Sequence, residues 1–369
     1  MLALPVLAAT PKPWRDGPSQ LVLFVTDRCN ARCAHCFHSD TLNSGKRLLS
    51  LQEHAELAKA AGELLTVSVS GGEPTLRDDL PDLYRLYSER GAARTFFVPT
   101  NGLSPDLVLR AARGMLESRG KTPVVFSISL DGPRDLHDAI RGVPGNFDRA
   151  LDTYRALADL KHEHPKRLRL KVGTVLMNEN VARIAELAAF VAREMPLVDF
   201  HDFEILRGSP KDARLTPPTV EELEALAPTL FGAFARGAFF GRRRPLASWL
   251  AAGTKRFLFR VYVETLRQKR QLLPCLAGRL SAVVSEEGDV SFCELRESVG
   301  NLRTAPLADI WRSPRAEATR RSIERGECWC THSCFQPKNV TRNPRIWPSL
   351  ALFLVSGVLR LPARAVSRH

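Results

Sequence analysis

The chain has 369 residues, 44% hydrophobic and 25% charged, the balance of a globular protein and not of a disordered or fibrous one. Lys and Arg number 53 against 40 Asp and Glu, and the resulting +13 suits an acidic or phosphate-bearing substrate, nucleic acid, or an anionic membrane surface. No apolar run reaches the roughly 18 residues of a membrane span, and no basic residue precedes the short apolar start, so a cytoplasmic protein is expected.

From residue 20 to about 206 the chain alternates short apolar runs with amphipathic stretches. Strands are expected at 21–26, 66–70, 95–102, 124–132, 167–177 and 198–206. Helices are expected at 50–64, 78–90, 104–120, 145–161 and 181–195, with Ser104 as an N-cap before Pro105. Such alternation argues for parallel βαβ units with right-handed crossovers. Six strands are too few to close an eight-stranded barrel, so the expected fold is α/β, a partial (β/α)6 TIM-like barrel open on one side. Its chemistry belongs beyond the carboxyl ends of the strands. The expected organisation is an N-terminal extension (1–19), the partial barrel (20–215), a helical connecting segment (216–274), a small cysteine-rich region (275–340) and a basic, apolar tail (341–369).

The stretch VTDRCNARCAHCFHSD places Cys29, Cys33 and Cys36 on one loop after the first strand, with no fourth cysteine nearby. A zinc site would need four ligands, the fourth being His35 or His38. A cubane [4Fe–4S] cluster held by three thiolates instead keeps one iron open, as catalytic metal sites keep a vacant position. The second strand ends in Gly71-Gly72-Glu73-Pro74, where two glycines let backbone approach a ligand closely. Thr100-Asn101-Gly102 closes the third strand, and SISLDGPRDLHDAIRG carries Ser129, Asp131, His137 and Arg141 at and beyond the fourth.

Five further cysteines lie near the C-terminus. Cys275 and Cys293 flank two strand-like runs and a turn at Glu287-Gly288, and Cys328, Cys330 and Cys334 share one loop. By themselves these thiols suit a zinc site or an iron–sulfur cluster.

The CxxxCxxC loop followed by Phe37, together with GGEP at the end of the next strand, resembles the radical S-adenosylmethionine (SAM) enzymes. The later pattern CxxG, GxVxxC, GNL, IW and trailing cysteines resembles their SPASM/twitch region. The resemblance implies a SAM-binding [4Fe–4S] cluster on Cys29, Cys33 and Cys36, and an auxiliary [4Fe–4S] cluster with four thiolates and one cysteine to spare. Its expected ligands are Cys275, Cys293 and Cys334 with one of Cys328 and Cys330, since a CxC spacing sits awkwardly on a single cluster, and His332 is a further donor that would alter the count. It implies SAM contacts from Gly71, Gly72, Glu73, Pro74, Asn101, Ser129 and Arg141, the last pairing with the cofactor carboxylate. It also implies a one-electron reductant such as flavodoxin or ferredoxin. Among the strand-end groups Asp131, His201, Asp202 and Glu204, Asp131 and Glu204 are taken as catalytic proton carriers. The substrate is a peptide, a protein side chain or a small molecule such as a lipid. Peptide maturases often carry an extra N-terminal domain, and only about twenty residues precede the first strand here, which weakens the peptide option. The tail admits peripheral membrane contact. The alternative is a non-enzymatic, zinc-containing, basic nucleic-acid-binding protein, for which neither GGEP nor six βα units would be expected.

Overall fold

The apolar run that opens the alternation becomes β1 (Gln20–Thr26), a strand buried along its whole length in the computed structural model, which describes residues 17–237 and 245–359. Burial on both sides is what a central parallel strand requires. The units that follow are α1 (Leu51–Ala61), β2 (Thr66–Gly71), α2 (Leu80–Glu89), β3 (Phe96–Thr100), α3 (Pro105–Glu117) and β4 (Val124–Ser129). After them come α4 (Arg134–Arg141), α5 (Asn146–Glu163), β5 (Leu168–Leu176), α6 (Ile184–Glu194) and β6 (Phe200–Ile205). The expected strands are all present and parallel, forming the open, partial barrel.

Strand alternation separates core from site. In β5, Leu168, Leu170, Val172 and Leu176 are fully buried and join the core cluster that includes the flanking helices. The opposite face carries Lys171, Gly173 and Val175, and pairing register sets Ser127 and Phe200 beside Lys171, and Ser129 and Asp202 beside Gly173. The inner face is therefore small and polar where the outer one is packed with Leu and Val.

Two local expectations change. Ser104 makes no cap to α3; its hydroxyl accepts from Asn30 Nδ2 at 3.2 Å, so a cysteine-loop residue takes the group that the helix would have used. The eight-residue α4 is too short for a periodicity reading and is a further helix between β4 and α5.

Beyond the barrel, α7 (Val220–Arg236) starts with a Thr219/Glu222 capping box, and α8 (Pro245–Gln268) follows. The hairpin expected around Glu287-Gly288 is β7 (Ser281–Val284) with β8 (Asp289–Ser291), and Gly288 takes φ +92° at the turn. Unexpectedly, β7 pairs in parallel with β1, and β9 (Gly300–Asn301) ends the sheet in the order β6-β5-β4-β3-β2-β1-β7-β8-β9. The cysteine-rich region thus extends the barrel's own sheet. Then come α9 (Leu307–Arg312), α10 (Pro314–Glu324), α11 (Gln336–Thr341) and α12 (Trp347–Ser356). No described helix is long and apolar enough to cross a membrane. Most of the N-terminal extension, the basic run at 241–244 and the tail from 360 onward lie outside the described residues.

Candidate active site and auxiliary cysteine site

The first cysteine loop is braced by backbone on two sides. The N–H groups of Arg32 and Ala34 donate to the carbonyls of Arg141 and Ile140 at the end of α4. The N–H groups of Lys211 and Asp212, just past β6, donate to the carbonyls of Cys36 and Ala34. Within the loop, the Asn43 side chain accepts from the Cys29 N–H at 3.0 Å and donates to the Cys29 carbonyl at 3.1 Å. Buried Asp27 accepts from the Gly45 N–H at 2.9 Å.

This fixes three half-buried thiols that form no disulfide. Burial pushes Cys29 up to about 11, and Cys33, Glu73 and Cys36 add their negative charge to the effect. Burial raises Cys36 as well. A bound cationic group offsets that burial and displaces the protons, and three thiols on one braced loop match the thiolate donor set of an iron–sulfur cluster. A single zinc ion fits less well. The described donors that gather three together within 4.8 Å are Glu294, His332 and Cys334, and the loop thiols are not among them. Tetrahedral zinc with Zn–S near 2.3 Å would hold thiolates about 3.8 Å apart.

The glycines of GGEP serve a close approach, but to the loop itself. A Cβ on Gly71, whose φ is +112°, would stand 2.3 Å from the Thr26 carbonyl oxygen, and one on Gly72 would stand 2.1 Å from that of Arg28. Bare backbone lets the Gly72 and Glu73 N–H groups donate to the Thr26 and Arg28 carbonyls at 2.7 and 2.8 Å. Glu73 is buried, and its carboxylate accepts from Thr75 Oγ1 at 2.7 Å and from the Asn101 N–H at 2.7 Å. Asn101 in turn donates from Nδ2 to Asn30 Oδ1 at 2.8 Å. Pro74 opens a short 3-10 turn behind them. GGEP and Asn101 therefore form the scaffold under the loop. Ser129 sits half-buried on the inner face of β4.

Asp131 and Arg141 pair with each other. Asp131 is fully buried; its Oδ1 accepts from the Val175 N–H at 2.9 Å and its Oδ2 pairs with Arg141 Nη2 at 2.7 Å. Burial raises its pKa, yet Arg141, His35 and His137 outweigh this and hold it below the usual carboxylate range. The Val175 N–H and the Arg141 guanidinium thus engage the two carboxylate oxygens. Arg141 itself is occupied, with Nη2 on Asp131 and Nη1 3.6 Å from Cys33 Sγ, instead of being free for a cofactor carboxylate. His137 is also structural: its Nδ1 accepts from the Asp131 N–H at 3.0 Å, and burial lowers its pKa to about 4.

Glu204 is paired as well. It pairs with Arg207 at 3.0 Å and Lys171 at 3.7 Å, and these cations outweigh burial to keep it ionised. It belongs to a line of charges through the interior. Lys255 pairs with Asp202, Asp202 with Lys171 at 3.2 Å, Lys171 with Glu204, Glu204 with Arg207, and Arg207 with Glu294 at 3.2 Å. Glu294 meets His332 Nε2 at 2.9 Å, and His332 Nδ1 accepts from the Cys334 N–H at 3.2 Å, so the ring proton lies on Nε2 and donates to Glu294. The Arg207 guanidinium also lies 5.6 Å from the centre of the Phe37 ring, next to Cys36. Arg207 thus touches both cysteine sites. Sequence reasoning missed it, although a basic residue one turn past the last barrel strand was the available signal.

The five C-terminal thiols divide. Burial pushes Cys275 up to about 12, with Cys330 and Cys328 adding to it. Burial raises Cys293, with Cys330, Glu294 and Cys275 adding, and it raises Cys330, with Cys328 adding. Cys275 thus feels the charge of Cys330 and Cys328, and Cys293 that of Cys330 and Cys275. Cys334, also pushed to about 12 by burial, is influenced next by Glu294 and Glu204. Its thiol lies within 4.8 Å of the Glu294 carboxylate and the His332 ring.

Comparison with known proteins gives the same two regions. The radical SAM superfamily matches residues 23–191, and an iron–sulfur cluster-binding domain, SPASM, matches residues 275–335. An AdoMet-dependent heme synthase of Methanosarcina barkeri is 27% identical over 335 residues, 85% of this chain and 88% of the relative. A PqqA peptide cyclase of Rhizobium meliloti is 24% identical over 90% of this chain and 83% of its own. The fold matches that of Streptococcus suis SuiB, solved with its precursor peptide SuiA, with a TM-score of 0.58 at 15% identity over 83% of this chain and 67% of that one. The cofactors that accompany these regions are SAM, a SAM-binding [4Fe–4S] cluster and auxiliary iron–sulfur. Loop, scaffold and matched segments agree, and the chain belongs to the radical SAM superfamily, with a SPASM region extending its barrel sheet.

Proposed function

We propose that this protein cleaves SAM reductively at Cys29, Cys33 and Cys36 and uses the product to take hydrogen from an organic substrate. When bound and reduced, a [4Fe–4S] cluster with one open iron supplies the electron that splits SAM into methionine and a 5′-deoxyadenosyl radical. The observation that carries this reading is the braced loop, which holds three half-buried thiols beside the glycine pair of GGEP.

The chain's own residues have three tasks. The Gly71–Pro74 backbone, Asn101 and Ser129 stand at the strand ends around the loop and offer the contacts for SAM. Arg141 lies against Cys33 and neutralises charge there, with Asp131 fixing its orientation. The line from Lys255 to Glu294 ties the inner face of β5 and β6 to the auxiliary region through paired charges. Cys275, Cys293, Cys328 and Cys330 are the ligands we assign to the auxiliary cluster, and Cys334 anchors the His332–Glu294 end of the charge line.

The substrate belongs to one of the kinds that the relatives' names specify, a peptide or a small molecule. A neighbouring precursor-peptide gene would select the first, and genes of lipid, sugar or cofactor synthesis the second. The parallel barrel and the two family matches displace the zinc-bearing nucleic-acid-binding alternative. The test is anaerobic reconstitution followed by incubation with dithionite and SAM. About eight irons per chain and release of 5′-deoxyadenosine are expected. Protein that rebuilds without acid-labile sulfide, or that makes no 5′-deoxyadenosine, overturns the assignment.

A further inference from the structure

Apart from the cysteine sites, the described residues enclose a cavity of about 430 Å³ between α7, α8 and α12, walled by Phe231, Trp249, Phe353 and Leu354 with Arg256 and Arg260. Two of its polar atoms, Ser248 Oγ and Arg256 Nε, are buried and have no hydrogen bond among the described residues. The guanidinium groups of Arg256 and Arg260 lie 5.7 and 5.4 Å from the centre of the Phe231 ring, and among the described residues neither forms an ion pair. Glu224 and Glu264 line the adjoining hollow with Arg260, but both are paired to Arg267. An apolar cavity with two unneutralised cations calls for a ligand that is part hydrocarbon and part anion.

The surface around the cavity has the same character. The sequence of α12, WPSLALFLVS, contains no charged residue. Its inner side packs on α8 at Gly253, where a Cβ would stand 2.2 Å from Leu354 Cδ2. Its outer side leaves Val355 89% exposed and Trp347 and Leu352 about 40% exposed, beside Trp249 of α8 at 55%. A helix apolar on both sides has a second partner to find. From Arg342 to the end, the sequence holds five arginines and no aspartate or glutamate. Exposed tryptophans among aliphatic groups, flanked by arginine alone, match the boundary of an anionic bilayer.

We propose that the α8–α12 face docks on an anionic membrane and that the cavity takes in part of one lipid, its hydrocarbon against Phe231 and Phe353 and its phosphate on Arg256 and Arg260. Docking there is independent of SAM cleavage, so the two readings fail separately. The experiment is flotation of the full-length, reconstituted protein with vesicles of phosphatidylcholine alone or mixed with phosphatidylglycerol. Binding is expected only to the mixed vesicles. Val355→Glu, at a fully solvated position, should weaken it about tenfold, and Arg256→Gln about fivefold, with circular dichroism unchanged. Equal binding to both vesicle types, or wild-type binding by both variants, overturns the proposal. So does a salt-sensitive association that Val355→Glu leaves intact, which would be charge alone. A dimer in sedimentation that Val355→Glu dissolves would instead make this face an interface between two copies.

Discussion

The two cysteine sites are built on opposite plans. The first places its three thiols within eight residues and braces them with main-chain hydrogen bonds from α4, the segment after β6, and the glycine pair that ends β2. The second gathers thiols from both ends of a hairpin and from a distant loop, and charged side chains join it to the barrel. A site held by backbone on one loop depends on few side chains beyond its ligands. A site assembled from separate segments depends on every partner that aligns them. The sites also differ in reach: the first is local, while the second shares a sheet with the barrel through β1 and β7 and shares Arg207 with Phe37 of the first loop.

The largest effects should fall on the first site. Cys33→Ala is expected to abolish 5′-deoxyadenosine production while iron falls from about eight to about four per chain, the auxiliary cluster surviving. Loss of all the iron would show that the two sites assemble as one. Gly72→Ala probes the brace without touching a ligand. Its new methyl group would stand 2.1 Å from the Arg28 carbonyl, so backbone must move and the loop with it. The expected result is loss of the first cluster's iron with the circular dichroism of the barrel retained. Wild-type iron content in this variant would mean that the loop does not rely on GGEP.

The auxiliary site offers a sharper contrast between two cysteines. Cys275→Ala should remove about four irons yet leave abortive SAM cleavage, because the braced loop is intact. Cys334→Ser should keep those irons, since the Cys334 thiol lies within 4.8 Å of the Glu294 carboxylate and the His332 ring, where Cys275 feels the charge of Cys330 and Cys328. Iron analysis of the two variants decides the ligand set. If Cys334→Ser empties the auxiliary site and Cys330→Ser does not, the original sequence expectation stands over the structural grouping.

That contrast also marks what could be read from residues alone. The barrel strands and the cysteine loop were legible because each is a short, contiguous pattern whose chemistry is local. The glycines of GGEP were legible as a close approach, but not what they approach, since Thr26 and Arg28 lie more than forty residues away in sequence. For Asp131, Glu204 and Arg141 the sequence shows the chemistry but not the partners. Each has the right chemistry at a strand end or just beyond it, and only the fold shows it already paired. The union of β7 with β1 joins segments some 260 residues apart, which no local pattern encodes.

The smallest expected effect tests the seam between the two regions. Arg303, just after β9, donates from Nε to Glu53 of α1 at 2.8 Å, and Glu53 also closes the capping box with Ser50. Arg303, and then the Ser50 N–H, hold the Glu53 carboxyl down at about 2. A folded-state pKa below the unfolded one contributes stability above the unfolded value near 4.5 and loses it as pH falls toward about 2. Glu53→Gln keeps a side chain able to accept at the cap, and so isolates the ion pair. Because the pair is partly exposed, the variant should lose no more than about 1 kcal/mol at neutral pH in chemical denaturation. The difference from wild type should vanish in acid. A deficit that persists unchanged at low pH would trace to the cap on α1 and leave β1–β7 pairing as the main bond between barrel and auxiliary region.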